Sequence, residues 1–416
     1  MDYEDILTAL KSGNVPSEGA SKFCIGRDKE IDEFKSLLER VENGKAFTKF
    51  INGEFGAGKS LFLKVIEEIA LNDNFVVSWI TLSNDIPFNK IDVVYKNIAK
   101  TLKCKTGISL EHIIDRWITN IKIMALEESV DPQKQDNFIE ENIKNDLNDV
   151  RAYANPIAVA IENYYKCRTK GDNETADYIL SWLKGDPNIP FQIKKRFGVK
   201  GDVNKETSLD FLKAISTFLK SIGYSGLVVL FDEAEFIMNL QMKRLRDIAY
   251  DYMRVLYDDC SLGKYSNTFF IFAGTPRFFD DNSKGIPSYE ALNDRIENII
   301  DSKYKDYRKP IVDLDGLKKE NIFQIAEKLV KIHENVYKWP GSKYITYSIL
   351  NSIVDKHEEN TELTGGKSTP RIFIRSFISC LDTVEQNKEF FTDSNSILDL
   401  FESKELGLED KLNDDW

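Results

Sequence analysis

Histidine and cysteine are scarce in this chain of 416 residues, and their scarcity excludes several kinds of site. The three histidines, His112, His333 and His357, stand far apart on segments with helical apolar spacing. This pattern does not favour a zinc site or a Ser-His-Asp triad, and we expect surface or packing roles instead. The five cysteines are odd in number and never paired at metal-ligand spacing, which predicts reduced, buried thiols without assigned chemistry.

Long apolar runs are also missing, and none approaches the length that a bilayer-spanning helix needs. Hydrophobic residues make up 42% of the chain and charged residues 30%, as in ordinary globular proteins. The acidic N-terminus, residues 1–5, lacks the basic and apolar regions of a secretory signal. We therefore expect a cytoplasmic protein that does not enter a membrane, with room for two or three structural units.

The formal net charge of -12 disfavours a protein that coats nucleic acid through its overall field. The densest basic patch beside an aromatic residue is Lys194, Lys195, Arg196 and Lys200 with Phe197. Two interpretations stay open here. The patch is either a local groove for nucleic acid or, as we prefer, a solvated helix end.

Eight consecutive residues match the phosphate-binding pattern G-x-x-x-x-G-K-[ST], namely Gly53, Glu54, Phe55, Gly56, Ala57, Gly58, Lys59 and Ser60. Main-chain N–H groups of such a loop converge on phosphate oxygens, and glycines let the backbone come close. We expect Lys59 to contact the β/γ-phosphates and the Ser60 hydroxyl to reach Mg²⁺. A strand-like segment precedes the loop at 46–51. The helix that begins near Leu61 adds the partial positive charge of its N-terminus to the phosphate site. The sequence therefore predicts binding of a nucleotide with Mg²⁺.

Apolar runs of strand type alternate with helical patterns on both sides of this loop. Further strands are predicted at 74–82, 226–232 and 268–273, and a helix is predicted at 236–257. Such alternation indicates an α/β fold with a doubly wound parallel sheet, of the P-loop NTPase type. Ligands of such sheets bind outside the carboxyl ends of the strands, where the motifs fall.

Composition and turn signals divide the chain further, and the predicted parts are listed here in chain order. They are an N-terminal helical arm (1–22), a P-loop ATPase core (23–310) interrupted by a helical insertion (105–206), a C-terminal helical lid (311–390) and an acidic tail (391–416). Mobility is expected for residues 399–416 of this tail.

Two carboxylates and a threonine follow the predicted buried strands. Asp232 ends one strand, where a carboxylate can hold Mg²⁺ directly or through water. Glu233 comes next, and a carboxylate beyond the metal ligand can orient and deprotonate the attacking water. Thr275 ends the next strand and is predicted to sense the γ-phosphate or help hold that water. The alternative for Thr275 is ordinary turn chemistry before Pro276.

Two arginines are candidates for contacts with the phosphates. Arg295 fits an arginine finger that acts in trans on a neighbouring subunit, although a helix-surface ion pair is almost as well supported. Arg371 begins a predicted lid helix in which Pro370 suits the first position and Thr369 the N-cap. We expect Arg371 to reach the phosphates and to couple lid closure to the nucleotide.

Taken together, these motifs resemble the AAA+ ATPases, especially their origin-recognition-type branch. The resemblance covers about 23–100 and 207–385 and implies a role for each matching segment. The matches are Ile25-Gly26-Arg27-Asp28 near the adenine, Gly53 to Ser60 as Walker A, Asp232-Glu233 as Walker B, Thr275 as sensor 1, Arg295 as the finger and Arg371 as sensor 2.

A narrower resemblance is to the BrxD-like ATP-binding proteins of BREX phage-defence systems. It includes the phosphate loop and four other segments, namely Ala9-Leu10 with Gly13-Asn14-Val15-Pro16, Phe231-Asp232-Glu233-Ala234-Glu235, Thr369-Pro370-Arg371 and Leu381-Asp382. The resemblance implies an ATP-driven motor or switch within such a defence assembly, acting on or near DNA. It also implies a homo-oligomer and a helicase or other defence-system protein as partner. The alternatives are a slow signalling-type switch that gates oligomer assembly and a scaffold that uses nucleotide for stability alone.

Overall fold

The computed structural model of the protein describes residues 3–16, 18–297, 305–363, 369–391 and 393–414. The chain forms two compact units, each assembled from separated segments. Unit 1 comprises residues 1–32, 52–68 and 313–416, and unit 2 comprises residues 33–51 and 69–312. Each unit contains a hydrophobic core of its own.

A parallel sheet of five strands is the centre of unit 2 and supports the predicted α/β class. Its strands are β1 (Ala46–Asn52), β2 (Val76–Thr81), β3 (Leu227–Asp232), β4 (Thr268–Gly274) and β5 (Ile311–Asp313), in the order β2-β3-β4-β1-β5. Every residue of β3 and β4 is buried, as expected for strands covered on both faces. In register, Thr81 of β2 lies opposite Asp232 of β3. The prediction of a doubly wound P-loop fold is confirmed.

The helices account for most of the remaining chain. From the first residue to the insertion they are α1 (Tyr3–Lys11), α2 (Asp28–Glu42), α3 (Lys59–Asn72) and α4 (Ile91–Thr101). The insertion contains α5 (Leu110–Glu128), α6 (Pro132–Asp146), α7 (Asn148–Lys170), α8 (Asn173–Leu183) and α9 (Phe191–Arg196). They are followed by α10 (Ser208–Ser221), α11 (Lys243–Ser261), α12 (Pro276–Asp280) and α13 (Glu290–Ile296). The C-terminal helices are α14 (Lys319–Tyr337), α15 (Gly341–Tyr344), α16 (Tyr347–Leu363), α17 (Pro370–Gln386) and α18 (Ser394–Asp414).

Residues 105–206, the predicted insertion, contain helices α5 to α9, and their core is continuous with that of the sheet. Aromatic pairs join it to α10, which precedes β3. Trp117 of α5 packs edge-on against Phe218 with ring centroids 5.3 Å apart, and Trp182 of α8 contacts Phe211 at 5.7 Å. Such contacts stabilise beyond the area they bury. The insertion therefore packs as part of unit 2. Its bounds, residues 105–206, remain a prediction.

Two elements near the sheet differ from the sequence expectations. The single helix predicted over 236–257 is wrong, because a 3-10 helix over Ala234–Asn239 is followed by a break before α11. Arg246 stabilises this break by donating to the carbonyls of Leu240 and Gln241 at 2.7 and 3.1 Å. No glycine or proline marks the break, so the apolar pattern runs through it. The short β5 was not predicted, since three residues carry too little periodicity.

The acidic tail also differs from expectation, because it forms α18 rather than a mobile segment. Ile397 and Phe401 of this helix are buried in the core of unit 1. The buried carboxylate of Glu405 contacts His357 Nδ1 at 2.6 Å and accepts a hydrogen bond from Asn360 at 2.7 Å. Buried charge requires partners of this kind. The prediction of a mobile tail followed from its acidic composition and did not take account of the apolar residues that pack this helix.

Within the described residues, none of the helices combines the length and the apolar character that crossing a membrane requires. All five cysteines are free thiols, and Cys104, Cys260 and Cys380 are buried. Burial raises the pKa of the Cys260 and Cys380 thiols to about 12, which keeps them protonated and unreactive near neutral pH. The prediction of reduced cysteines holds, although Cys24 and Cys167 are only partly buried.

Candidate nucleotide-binding site

The phosphate-binding loop connects β1 to α3 and has the backbone shape that its glycines predict. Gly56 and Gly58 have φ angles of 81° and 93°, in the left-handed region that other residues enter at a cost. A Cβ atom on Gly56 would lie 2.6 Å from Thr369 Oγ1, whereas no heavy atom lies within 4 Å of the Cβ position at Gly58. Gly58 is thus required by the backbone alone, and Gly56 also by its neighbour.

Lys59 is the first residue of α3, and its ammonium group turns back over the loop. It donates to the carbonyl oxygens of Gly53 at 2.8 Å and Glu54 at 3.2 Å, and the residue is 8% exposed. These carbonyls compensate the buried charge, as burial of an ammonium group demands. Ser60 and Leu61 follow in the first turn, where N–H groups lack helical partners. The structure therefore brings a cation and free donors together at one loop.

Arg27 lies in the segment that resembles the one near the adenine in AAA+ ATPases, and it is buried at 5% exposure. Its guanidinium donates to the carbonyl of Ala57 at 3.3 Å and to the carbonyl of Asp315. It also lies 3.7 Å from Glu30. Since these contacts fix the loop to the chain before α14, we assign Arg27 a supporting role in the loop geometry. Ile25, predicted beside it, packs partly buried on the core of unit 1.

Arg371 lies in the first turn of α17, next to the loop. Its guanidinium carbon is 5.6 Å from the centre of the Phe55 ring, within the range of a cation–π contact. Arg371 Nε is buried and makes no hydrogen bond. Pro370 occupies the start of the helix and Thr369 the N-cap position, as predicted, although the Thr369 side chain makes no capping hydrogen bond. The Thr369 hydroxyl faces Gly56 instead.

Unit 2 carries the two carboxylates at the end of β3. Asp232 is 5% exposed, and its Oδ1 accepts a hydrogen bond of 3.0 Å from the Glu233 N–H. Glu233 has φ 57° and ψ 41°, a left-handed conformation that costs a non-glycine residue about 1–2 kcal/mol. Local strain of this kind occurs preferentially at functional sites. The strain was not visible in the sequence, because Glu233 is neither glycine nor asparagine.

Thr275 follows β4, the neighbour of β3, and precedes the short helix α12. Its side chain makes no capping hydrogen bond with that helix. A Cβ atom on Gly274, one residue earlier, would lie 3.5 Å from Glu235 Oε2. The carboxyl ends of β3 and β4 thus bring Glu235 near the residue before Thr275. The sequence motifs predicted no role for Glu235.

Arg295 is held within its own subunit. Its Nε lies 2.6 Å from Asp258 Oδ1, and its side chain is 36% exposed. Arg254 contacts the other oxygen of Asp258 at 2.9 Å, so one carboxylate pairs with two arginines. The ion pair joins α13 to α11. The finger role in trans stays a prediction.

The basic patch of the insertion is unsuited to stacking of bases. Phe197 is 1% exposed and contacts Trp182 inside the core. Lys194 is buried and lies 2.9 Å from Asp202, whereas Lys195, Arg196 and Lys200 are exposed. Platforms for single-stranded nucleic acid need accessible aromatic faces. The preferred interpretation, a solvated helix end, agrees with this geometry.

The comparisons with known proteins address the family directly. The family model described as "BREX system ATP-binding protein BrxC/D" matches residues 1–397. The chain belongs to this family. Among solved structures it is similar to a chain of "Structure of Drosophila ORC bound to DNA", with a TM-score of 0.44 and 12% identity over 98% of this chain and 70% of that chain. No curated protein matches this BREX ATP-binding protein.

The loop of this BREX ATP-binding protein has the features that a triphosphate requires. Left-handed glycines shape the backbone, the start of α3 presents N–H groups, and Lys59 supplies the positive charge. The Ser60 hydroxyl of unit 1 and, taken separately, the Asp232 carboxylate of unit 2 are each oxygen groups of the kind that Mg²⁺ prefers. The loop residues therefore fit the ATP named in the family description.

Proposed function

We propose that this BREX-family protein hydrolyses ATP with Mg²⁺ and uses the cycle as a motor or switch in a DNA-associated defence assembly. Membership in the BREX ATP-binding family supports ATP binding and the defence setting. The observation that carries hydrolysis is the left-handed Glu233, which directly follows the buried Asp232 at the end of β3. Proteins retain such strain where the position of a side chain matters.

Each residue has a distinct part in the proposal. Lys59 neutralises charge on the β/γ-phosphates, and the Glu233 carboxylate orients water and accepts its proton. Thr275 helps position that water, and Arg371 contacts the phosphates. Ser60 and Asp232 would hold Mg²⁺, which supplies charge neutralisation at the phosphate oxygens when bound.

Arg295 has a proposed role between subunits. Acting in trans, its guanidinium would stabilise the charge that develops on the phosphates of a neighbouring copy. Such a role implies a homo-oligomer, and family membership implies further partners from the defence system, a helicase among the candidates. Motor and switch differ in rate: DNA-stimulated turnover supports the motor, while slow turnover with ATP-dependent assembly supports the switch.

Three variants test the proposal. We expect Lys59→Ala to abolish ATP binding, while Lys64→Ala, the matched control one turn later in α3, leaves it unchanged. Glu233→Gln is expected to bind ATP normally and to lose about 10²–10⁴-fold in turnover, the usual contribution of a general base. Phosphate release with and without Mg²⁺ and duplex DNA gives the rates. Equal turnover of Glu233→Gln and wild type would overturn the proposed role of Glu233.

The oligomer is tested on the same protein. The mass of Glu233→Gln with ATP, measured by light scattering alone and with duplex DNA, reports whether ATP binding drives assembly. A monomer under both conditions would contradict both the motor and the assembly switch. A wild-type protein that neither hydrolyses ATP nor assembles with it would leave the scaffold, in which nucleotide only stabilises the fold.

A further inference from the structure

The turn that ends helix α1 lies against Arg371. Gly13, with φ 73°, follows this helix, and a Cβ atom there would lie 2.8 Å from Arg371 Nε and 3.1 Å from Arg371 Nη2. The Phe55 ring of the phosphate loop is also in contact with the same guanidinium. Arg371 is therefore bounded by the Gly13 turn and the Phe55 ring, all within unit 1.

The shape of this turn explains a motif that had no role in the proposed function. The N–H of Gly13 donates to the carbonyl of Leu10 at 3.0 Å, and the N–H of Asn14 donates to that of Ala9 at 2.9 Å. This pair of bonds is a Schellman motif, which needs a left-handed residue at Gly13. Ala9-Leu10 and Gly13-Asn14-Val15-Pro16 thus encode the end of a helix at a fixed place.

Several contacts fix the turn to the lid helices. Lys11 Nζ lies 2.8 Å from the Asp382 carboxylate and donates to the Tyr337 hydroxyl at 2.9 Å. Arg375, one turn after Arg371, donates through Nε to the Lys11 carbonyl at 3.3 Å. Burial opposes the charge on Lys11, but the Asp382 and Tyr337 contacts outweigh it and raise the pKa of the ammonium group. The Lys11 cation is therefore retained at neutral pH.

We propose that Gly13 is a positioning residue for Arg371, so that the turn after α1, within the N-terminal arm, completes the ATP site. The arm acts by limiting where the guanidinium can lie, and a glycine is needed because a methyl group would occupy its place. This inference depends on the proposed function in one respect, the contact of Arg371 with the phosphates. It adds that a change in the arm alters recognition of the γ-phosphate.

Gly13→Ala is the variant that tests the inference, and the chain provides a close control in Gly171→Ala. Gly171 ends α7 in the same motif, with φ 76° and bonds from residues 171 and 172 to Arg168 and Cys167. No heavy atom lies within 4 Å of its Cβ position. Both variants introduce alanine into a left-handed turn and therefore the same kind of backbone strain. They differ in that only Gly13→Ala displaces Arg371.

The measurement is the ratio of affinities for a non-hydrolysable ATP analogue and for ADP, which does not require turnover. We expect Gly13→Ala to lower this ratio at least ~5-fold, since misplaced charged contacts typically cost this much or more. Gly171→Ala should leave the ratio unchanged. In an Arg371→Ala background, Gly13→Ala should have no further effect on the ratio, because the residue it acts through is gone.

Each outcome decides a separate question. A ratio that stays at the wild-type value in Gly13→Ala, or an equal fall in both backgrounds, overturns the positioning role. Thermal melting of Gly13→Ala and Gly171→Ala controls for folding. If Gly13→Ala does not fold, Lys11→Met takes its place, because it removes the ion pair with Asp382 that anchors the turn. We expect Lys11→Met to lower the affinity ratio in the wild-type background and to leave it unchanged in the Arg371→Ala background; any other result overturns the positioning role. Absence of phosphate release by the wild type would refute hydrolysis while leaving the affinity ratio interpretable.

Discussion

Replacing Glu233 with asparagine is expected to stabilise unit 2 and at the same time to abolish ATP hydrolysis. The backbone of Glu233 has φ 57° and ψ 41°, where a side chain other than asparagine, aspartate or glycine is strained. Asparagine visits this region readily, so the change removes part of a cost of about 1–2 kcal/mol. We expect a gain of about 0.5–1 kcal/mol in the free energy of unfolding.

The comparison variant is Glu233→Gln, which removes the carboxylate but retains the strained conformation. Both variants lack the proposed base, so both should lose turnover, and the difference between their unfolding free energies isolates the strain. Urea unfolding followed by tryptophan fluorescence gives this difference. Lys338→Asn is a second control, because Lys338 also has a left-handed backbone, φ 54° and ψ 45°, remote in sequence from every motif. It should gain similar stability with unchanged turnover.

The reasoning about strain is refuted if the asparagine variant is no more stable than the glutamine variant. If Lys338→Asn raises the free energy of unfolding and Glu233→Asn does not, the backbone of Glu233 is not strained. Its left-handed conformation would then be stabilised by the hydrogen bond from its N–H to Asp232. If Glu233→Asn gains stability and retains wild-type turnover, the strain is real but the proposed catalytic role fails.

Three further predictions concern packing, the arginine pair and acid stability. Phe231→Ala removes a ring stacked 4.5 Å from Phe272 and should cost about 3–5 kcal/mol in urea unfolding, and a cost under about 1 kcal/mol would contradict the buried sheet. Asp258→Asn weakens the hold on Arg295 and should raise turnover up to about fivefold at high protein concentration, as loss of a surface ion pair allows; an unchanged rate argues against a finger in trans. Burial opposes ionisation of Asp382, but hydrogen bonds from a histidine and a lysine outweigh burial and lower the pKa of this carboxyl group. The ionised carboxylate therefore stabilises the fold above the pKa that it has in the unfolded chain. This stabilisation is lost as the pH falls through the lower pKa of the folded state. Asp382→Asn should therefore flatten the loss of stability in urea titrations below about pH 4, and an unchanged acid limb would contradict this.

The sequence predicted the parts of the fold that repeat a strong local pattern. The buried strands β3 and β4 follow from unbroken apolar runs, and the phosphate loop from its glycines and Lys59. Where tertiary contacts decide the structure, prediction failed. The break before α11 depends on Arg246, whose hydrogen bonds to two carbonyls have no sequence signature.

The candidate site shows the same division between local and distant information. Residue types and spacing identified the loop and the Asp232-Glu233 pair, but the contact of Arg27 with Asp315 joins residues 288 positions apart. The Gly13 motif was noticed as a resemblance, and its approach to Arg371 became visible only in three dimensions. Backbone strain at Glu233 likewise depends on the structure that surrounds it.

Unit 1 is assembled from the two ends of the described chain together with the phosphate loop between them. During translation, at roughly 5–20 residues per second, the loop leaves the ribosome long before the C-terminal helices exist. Arg371 can reach its place beside Phe55 only after about 300 further residues have been synthesised. A nascent chain cut short before α17 would therefore lack the guanidinium that lies against the phosphate loop, so the surroundings of Phe55 are completed only after synthesis has passed that helix.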